Sequence, residues 1–244
     1  MLRTLVEMSL NVLPSRARLA ASGQCAICRR WPASALCEVC VAGFARPAPR
    51  CGTCALPVAP GVERCGACLR TPPPLDACIA AVSWGFPWSA CIAGFKFAGH
   101  AGWAEPLATL VRSAPWAEPA LDAADGLIPM PLSSQRLRER GFNQALEIAR
   151  HLAPAKTDAQ TLLRIRHTAP QRTLDRQARL TNMRGAFAVE PLRVPRVMGR
   201  RMLLVDDVMT SGASLHAAAV ALRQAGAQWV GALVVARAND GSPD

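Results

Sequence analysis

Arg201-Met202-Leu203-Leu204-Val205-Asp206-Asp207-Val208-Met209-Thr210-Ser211-Gly212-Ala213-Ser214-Leu215 is the stretch from which the rest of the chain is read. An apolar run of strand length ends on two adjacent carboxylates, a loop of small residues follows, and a helix then begins. The Ala/Val/Leu run from His216 to Arg223 signals that helix, and Gly226 reads as its C-terminal stop. A second apolar run, Trp229 to Val235, completes a β-loop-α-β unit with a parallel strand pair. In such sheets ligands sit outside the carboxyl ends of the strands. Thr210, Ser211 and Ser214 offer hydroxyls there, and Gly212 and Ala213 let the backbone come close. The unpaired amides and positive dipole end of the helix start suit a phosphate. Carboxylates beside a phosphate site need a neutral or cationic partner, such as sugar hydroxyls or a Mg²⁺-bound sugar phosphate. Neither G-x-x-x-x-G-K-[ST] nor a G-x-G-x-x-G after a strand is present, so ATPase and dinucleotide readings lose weight. An ordinary acidic turn is the plainer alternative.

Four apolar residues, two acidic ones and T-S-G-x-[TS] closely resemble the phosphoribosyl-pyrophosphate (PRPP) fingerprint of type I phosphoribosyltransferases. The resemblance implies that Asp206 and Asp207 hold the ribose 2′- and 3′-hydroxyls. Thr210, Ser211, Gly212, Ala213 and Ser214 would then hold the 5′-phosphate. Ser214 stands where the family usually has Thr, which keeps the hydroxyl and loses a methyl.

At 244 residues the chain is long enough for one good core plus an appendage. Its formal net charge of +11 is unevenly placed. Arg136 to Arg201 holds 14 Arg and one Lys against five acidic residues, a local balance of +10. Such clustering suits a polyanion: PRPP, single-stranded nucleic acid, or both. An Arg-rich composition would explain why only Lys96 and Lys156 are lysines, but not the clustering. No apolar run reaches the roughly 18 residues of a membrane span. Glu7 and Asn11 break the N-terminal apolar stretch, so residues 1–24 read as a short amphipathic helix rather than a signal peptide. A cytoplasmic protein with reduced thiols is expected.

Cys25-x-x-Cys28, Cys37-x-x-Cys40, Cys51-x-x-Cys54 and Cys65-x-x-Cys68 form four knuckles within residues 25–70. Paired thiolates in a reducing compartment point to two structural, tetrahedral Cys₄ zinc sites; disulfides are the alternative. Sequential pairing of the knuckles is the simplest arrangement, and an interleaved one stays open. Cys78 and Cys91 fall outside the pattern and read as small buried residues. Thr71-Pro72-Pro73-Pro74 forms a stiff linker into a domain over residues 71–244.

Within that domain, strands are expected at Cys78–Trp84, from Asp125 towards Pro131, at Thr161–Ile165 and at Ala186–Val189. Helices are expected at Trp88–Phe97 and Trp103–Val111. Arg136, Arg138 and Arg140 sit at alternate positions before a helix carrying Leu146, Ile148, Ala149 and Leu152. Their guanidinium groups could clamp pyrophosphate, or form a solvated basic turn. Arg164 to Phe187 is long, polar and basic, which favours a lid over a charged substrate; a solvated helix is the alternative.

The P-x-P-L, R-x-R-x-R-G-F-N-Q, T-x-x-Q-x-x-L and R-x-x-N-x-x-G-A-F stretches together resemble the ComF family of competence-associated phosphoribosyltransferase-like proteins. That resemblance spans about residues 25 to 236. It implies an α/β fold of type I phosphoribosyltransferase kind, a parallel sheet flanked by helices, behind a small Cys-rich zinc domain. It further implies Mg²⁺-dependent PRPP binding involving Lys96, Thr168, Gln171, Arg179 and Asn182, and a link to uptake of single-stranded DNA with the competence machinery. Lys96-Phe97-Ala98-Gly99 replaces the family's common K-Y-x-G, and the chain has no Tyr. A DNA-binding module that keeps the fold, and a PRPP sensor without turnover, fit the same residues. The acceptor is not legible in the sequence.

Overall fold

The computed structural model describes residues 23–97, 101–166 and 182–239. At its centre four parallel strands run in the order β1 (Ala77–Ser83), β6 (Trp229–Arg237), β5 (Arg201–Met209) and β2 (Gly126–Pro129). β5 and β6 are almost continuously apolar because both faces of the sheet are covered. Their side chains alternate between two cores. Met202, Leu204, Val230, Ala232 and Val234 enter one; Leu203, Val205, Leu233 and Val235 enter the other.

The first core is closed by α8 (Ala213–Gln224), by the antiparallel pair β3 (Leu162–Arg164) and β4 (Phe187–Val189), and by Cys51, Cys54 and Cys68. The second is closed by α3 (Trp88–Phe97), α4 (Ala104–Arg112), α5 (Ala117–Ala123) and α7 (Gln144–Leu152). Leu107, Leu110 and Val111 form the buried stripe of α4. Each such buried side chain contributes about 1.5–3 kcal/mol before entropy is charged against it. α8 stops as the sequence implies. Gly226 sits at φ +88°, its N–H bonds the Arg223 carbonyl at 2.9 Å, and the Ala227 N–H reaches back to Leu222 at 3.0 Å.

The expected strands and the two expected helices occur within a residue or two of their predicted bounds. The short helices α1 (Glu38–Phe44), α2 (Gly66–Arg70), α5 and α6 (Ser134–Arg140) carry too few turns to show a period and went unsignalled. The N-terminal amphipathic helix expected at 1–24 lies, up to residue 22, outside the described residues. Among the described residues no helix is long and apolar enough to cross a membrane.

Candidate functional site

β5 carries Asp206 and Asp207 to its carboxyl end, one residue past the four-residue apolar core run Met202–Val205. The strand alternation sends the two carboxylates to different surroundings. Asp207 is buried and forms a 3.0 Å ion pair with Lys96 Nζ at the end of α3. Asp206 accepts the Asp207 backbone N–H at 2.9 Å through Oδ1. Burial, and then the neighbouring Asp207 charge, push the Asp206 carboxyl up to about 7, against the opposing pull of Lys96 and Arg140. A carboxyl held that high is a group waiting for hydroxyls or a cation.

Directly beyond, Thr210, Ser211, Gly212, Ala213, Ser214 and Leu215 curl around a pocket of about 30 Å³ that Asp206 also lines. Gly212 is the N-cap of α8, at φ +80°. That left-handed φ favours glycine, and a Cβ there would also lie 2.6 Å from Met209 Cε and 2.8 Å from His216 Nε2. Gly212 has no side chain with which to cap the helix, and Ser211 Oγ accepts the Ala213 N–H at 3.4 Å. The helix start therefore presents amides and a positive dipole end to whatever fills the pocket.

Arginine reaches the same end of the sheet from α6. Ser133 caps that helix by accepting the Arg136 N–H at 3.3 Å, and Gly141 ends it at φ +78°. The three arginines precede α7, as the sequence implies, and the structure adds that they themselves lie within a short helix. At 100° per residue, Arg136 and Arg140 share a face and Arg138 takes the opposite one. Arg140 is half-buried, its guanidinium 5.4 Å from the Phe97 ring centroid and bonded to Gln144 Oε1 at 3.0 Å. Burial pulls the Arg140 pKa down and the Asp207 and Asp206 charges hold it up. Arg136 and Arg138 are exposed.

Gln144 was not singled out from the sequence. It is 1% exposed, and its Nε2 has no hydrogen-bond partner among the described residues. Its position in the R-G-F-N-Q stretch, opening a helix after a capping Asn143, was the available signal. Asn182 is half-buried at the start of the segment leading into β4. Thr168, Gln171 and Arg179, and with them most of the expected lid, lie outside the described residues. The ends of that segment are held by the β3–β4 pairing, with Arg164 opposite Phe187.

The eight knuckle cysteines assemble in sequential pairs. Cys25, Cys28, Cys37 and Cys40 form one tetrad, and Cys51, Cys54, Cys65 and Cys68 the other, with all Sγ atoms of each within 4.8 Å of one another. Sulfur separations of 3.9 Å (Cys25 to Cys40), 3.6 Å (Cys28 to Cys37) and 3.7 Å (Cys54 to Cys65) match the edge of about 3.8 Å of a tetrahedron with Zn–S near 2.3 Å. All are free thiols. Against the effect of burial, backbone N–H groups of Cys28, Cys37 and Ile27 hold the Cys25 thiol down at about 6. Those of Cys65, Thr53 and Cys54 likewise hold Cys51 at about 7. The donor set fits zinc: two closed groups that could each hold one ion. Cys78 and Cys91 are buried and belong to neither tetrad, although the Cys78 N–H donates to the Gly52 carbonyl within the Cys51–Cys54 knuckle at 2.8 Å.

Residues 139–244 match the phosphoribosyl transferase domain model. The chain is 32% identical over 226 residues to the "DNA utilization protein YhgH" of Salmonella typhimurium, covering 87% of this chain and 96% of that protein. It is 32% identical over 199 residues to the "Competence protein F" of Haemophilus influenzae, covering 78% and 85%. The "Competence protein ComFC" of Bacillus subtilis matches over 100 residues at 31%, covering 41% and 39%.

Proposed function

This chain belongs to the ComF family of competence-associated phosphoribosyltransferase-like proteins, and we propose that it binds PRPP as its magnesium complex and serves DNA uptake. One observation carries the reading: the Asp206–Asp207 pair runs without a break into a glycine-capped helix start. Asp206 and Asp207 would accept hydrogen bonds from the ribose hydroxyls. The amides and hydroxyls of Thr210 to Ser214 would take the 5′-phosphate. Arg140, with Arg136 on the same helix face, would offset pyrophosphate charge, and Lys96 would hold Asp207 in place through its ion pair. The carboxylate oxygens are donors of the kind magnesium takes, and the ion would arrive with the substrate and neutralise its phosphates. Loss of pyrophosphate from C1 leaves an oxocarbenium-like ribosyl centre, so positioning and charge stabilisation would carry the rate. Zinc in both tetrads would be structural.

Isothermal titration of zinc-loaded protein with PRPP, with and without Mg²⁺, tests the reading, with ribose 5-phosphate as control. Micromolar, Mg²⁺-dependent binding is expected, together with its loss in the folded Asp206→Asn/Asp207→Asn variant. Absence of binding to the wild type refutes the site. A DNA-binding role is the second reading, motivated by the similarity to a DNA utilization protein of Salmonella and by the exposed arginines Arg136 and Arg138. Salt-sensitive binding of single-stranded DNA that PRPP does not displace would favour that second reading; mutual competition would place both ligands at one site.

A further inference from the structure

Arg237 ends β6 directly opposite Met209 of β5, at a place where a charge is costly. It is 2% exposed, and among the described residues its hydrogen-bond partners are all backbone carbonyls. Nε donates to Cys54 at 2.7 Å, and Nη1 donates to Met209 at 3.1 Å, Thr210 at 2.5 Å and also Ala238. One guanidinium thus joins a knuckle of the second tetrad to the first residue of the phosphate-binding loop. Arg50 lies against the same knuckle, donating to the Ala55 carbonyl and to Ser83 Oγ, each at 3.1 Å. Carbonyl dipoles solvate a buried cation but leave its charge uncompensated.

The opposite sign is available next door. Four thiolates around a divalent ion carry a net charge of two minus. Among the described residues the first tetrad shows no such link. Its neighbours Ile27, Leu36, Val41 and Ala45 pack with the core on the other face of the sheet. We propose that Arg237, assisted by Arg50, is the counter-charge of a metal-loaded second tetrad and the clamp through which that centre positions the phosphate-binding loop. The two tetrads then differ in role: the first anchors the Cys-rich domain, and the second sets phosphate affinity. This inference rests on Thr210–Ser214 being the PRPP phosphate site, and the test separates the two ideas.

Full-length, zinc-loaded Arg237→Gln, Arg237→Lys, Cys28→Ser and Cys65→Ser are compared with wild type. The readouts are zinc per chain, zinc release to excess chelator, PRPP affinity and thermal unfolding. Arg237→Gln should release one of its two zinc ions at least tenfold faster than wild type and bind PRPP at least tenfold more weakly. Arg237→Lys should recover zinc retention, which needs charge, more fully than PRPP affinity, which needs the fork of the guanidinium. PRPP should bind at least tenfold more weakly to Cys65→Ser than to Cys28→Ser. If Cys65→Ser loses its cooperative thermal transition, stripping zinc from Cys28→Ser, which keeps only the second tetrad, must lower PRPP affinity to the same extent. Wild-type zinc release in Arg237→Gln, or PRPP affinity independent of which tetrad is loaded, overturns the proposal. If wild type does not bind PRPP at all, the loop assignment fails, and zinc release still decides whether Arg237 is the counter-charge.

Discussion

Asp206→Asn removes a charge that the fold holds against its preference. The Asp206 carboxyl stands at about 7 against an ordinary 3.8, raised by burial and by Asp207. In the folded state it therefore keeps a proton that the unfolded chain gives up between about pH 4 and pH 7. Where the native state binds more protons, stability falls as pH rises. The wild type should thus carry this penalty in full above pH 7 and be free of it below pH 4. Roughly three pKa units at about 1.4 kcal/mol each set an upper bound of about 4 kcal/mol. A neutral amide of the same shape escapes the penalty. Asp206→Asn should match wild type near pH 4 and exceed it progressively to pH 8. At the full value its melting temperature would be about 8–16 °C higher, taking about 2–4 °C per kcal/mol for a domain of this size. Thermal unfolding of both proteins across pH 4–8.5 is the assay, read as variant minus wild type so that metal-linked titration cancels. PRPP binding should be lost from the same variant. A stability difference that is absent at pH 8, or that does not change with pH, refutes the reasoning.

Lys96→Met removes the cation that pairs with Asp207 at 3.0 Å and helps to hold the Asp206 carboxyl down. The pH midpoint of the Asp206-linked stability change should then move upward, as pH-dependent unfolding would show; an unmoved midpoint contradicts the coupling. Gly212→Ala forces a side chain onto a left-handed N-cap at φ +80°, at about 1–2 kcal/mol of backbone strain. It also places a methyl against the ends of Met209 and His216. Its melting temperature should fall by about 2–8 °C and its PRPP affinity by more than tenfold. Wild-type affinity in that variant would show that the loop does not depend on its glycine turn.

Residues 201–235 were readable because their physics is local. A strand covered on both faces must be continuously apolar, as Met202–Val205 is. The position of Asp206, Asp207 and Gly212 after that run follows from chain direction alone. Cysteine knuckles are equally local, and four of them announce two tetrads. The facing of Arg136, Arg138 and Arg140 is a different matter. Alternate spacing in a polar segment reads the same on a loop, a strand or a short helix. Only a helix capped by Ser133 sends Arg138 away from the carboxylates.

The sequence by itself determined the order of chemistry along the chain: knuckles, linker, arginine segment, acidic strand end and small-residue loop. Tertiary structure alone decided which distant groups share an environment. Lys96 meets Asp207 across more than a hundred residues of chain, and Arg237 meets Cys54 across 183. The reason is that such meetings depend on how helices and strands stack on a common core. A pair of residues far apart in sequence carries no periodic signal of the face they will come to share.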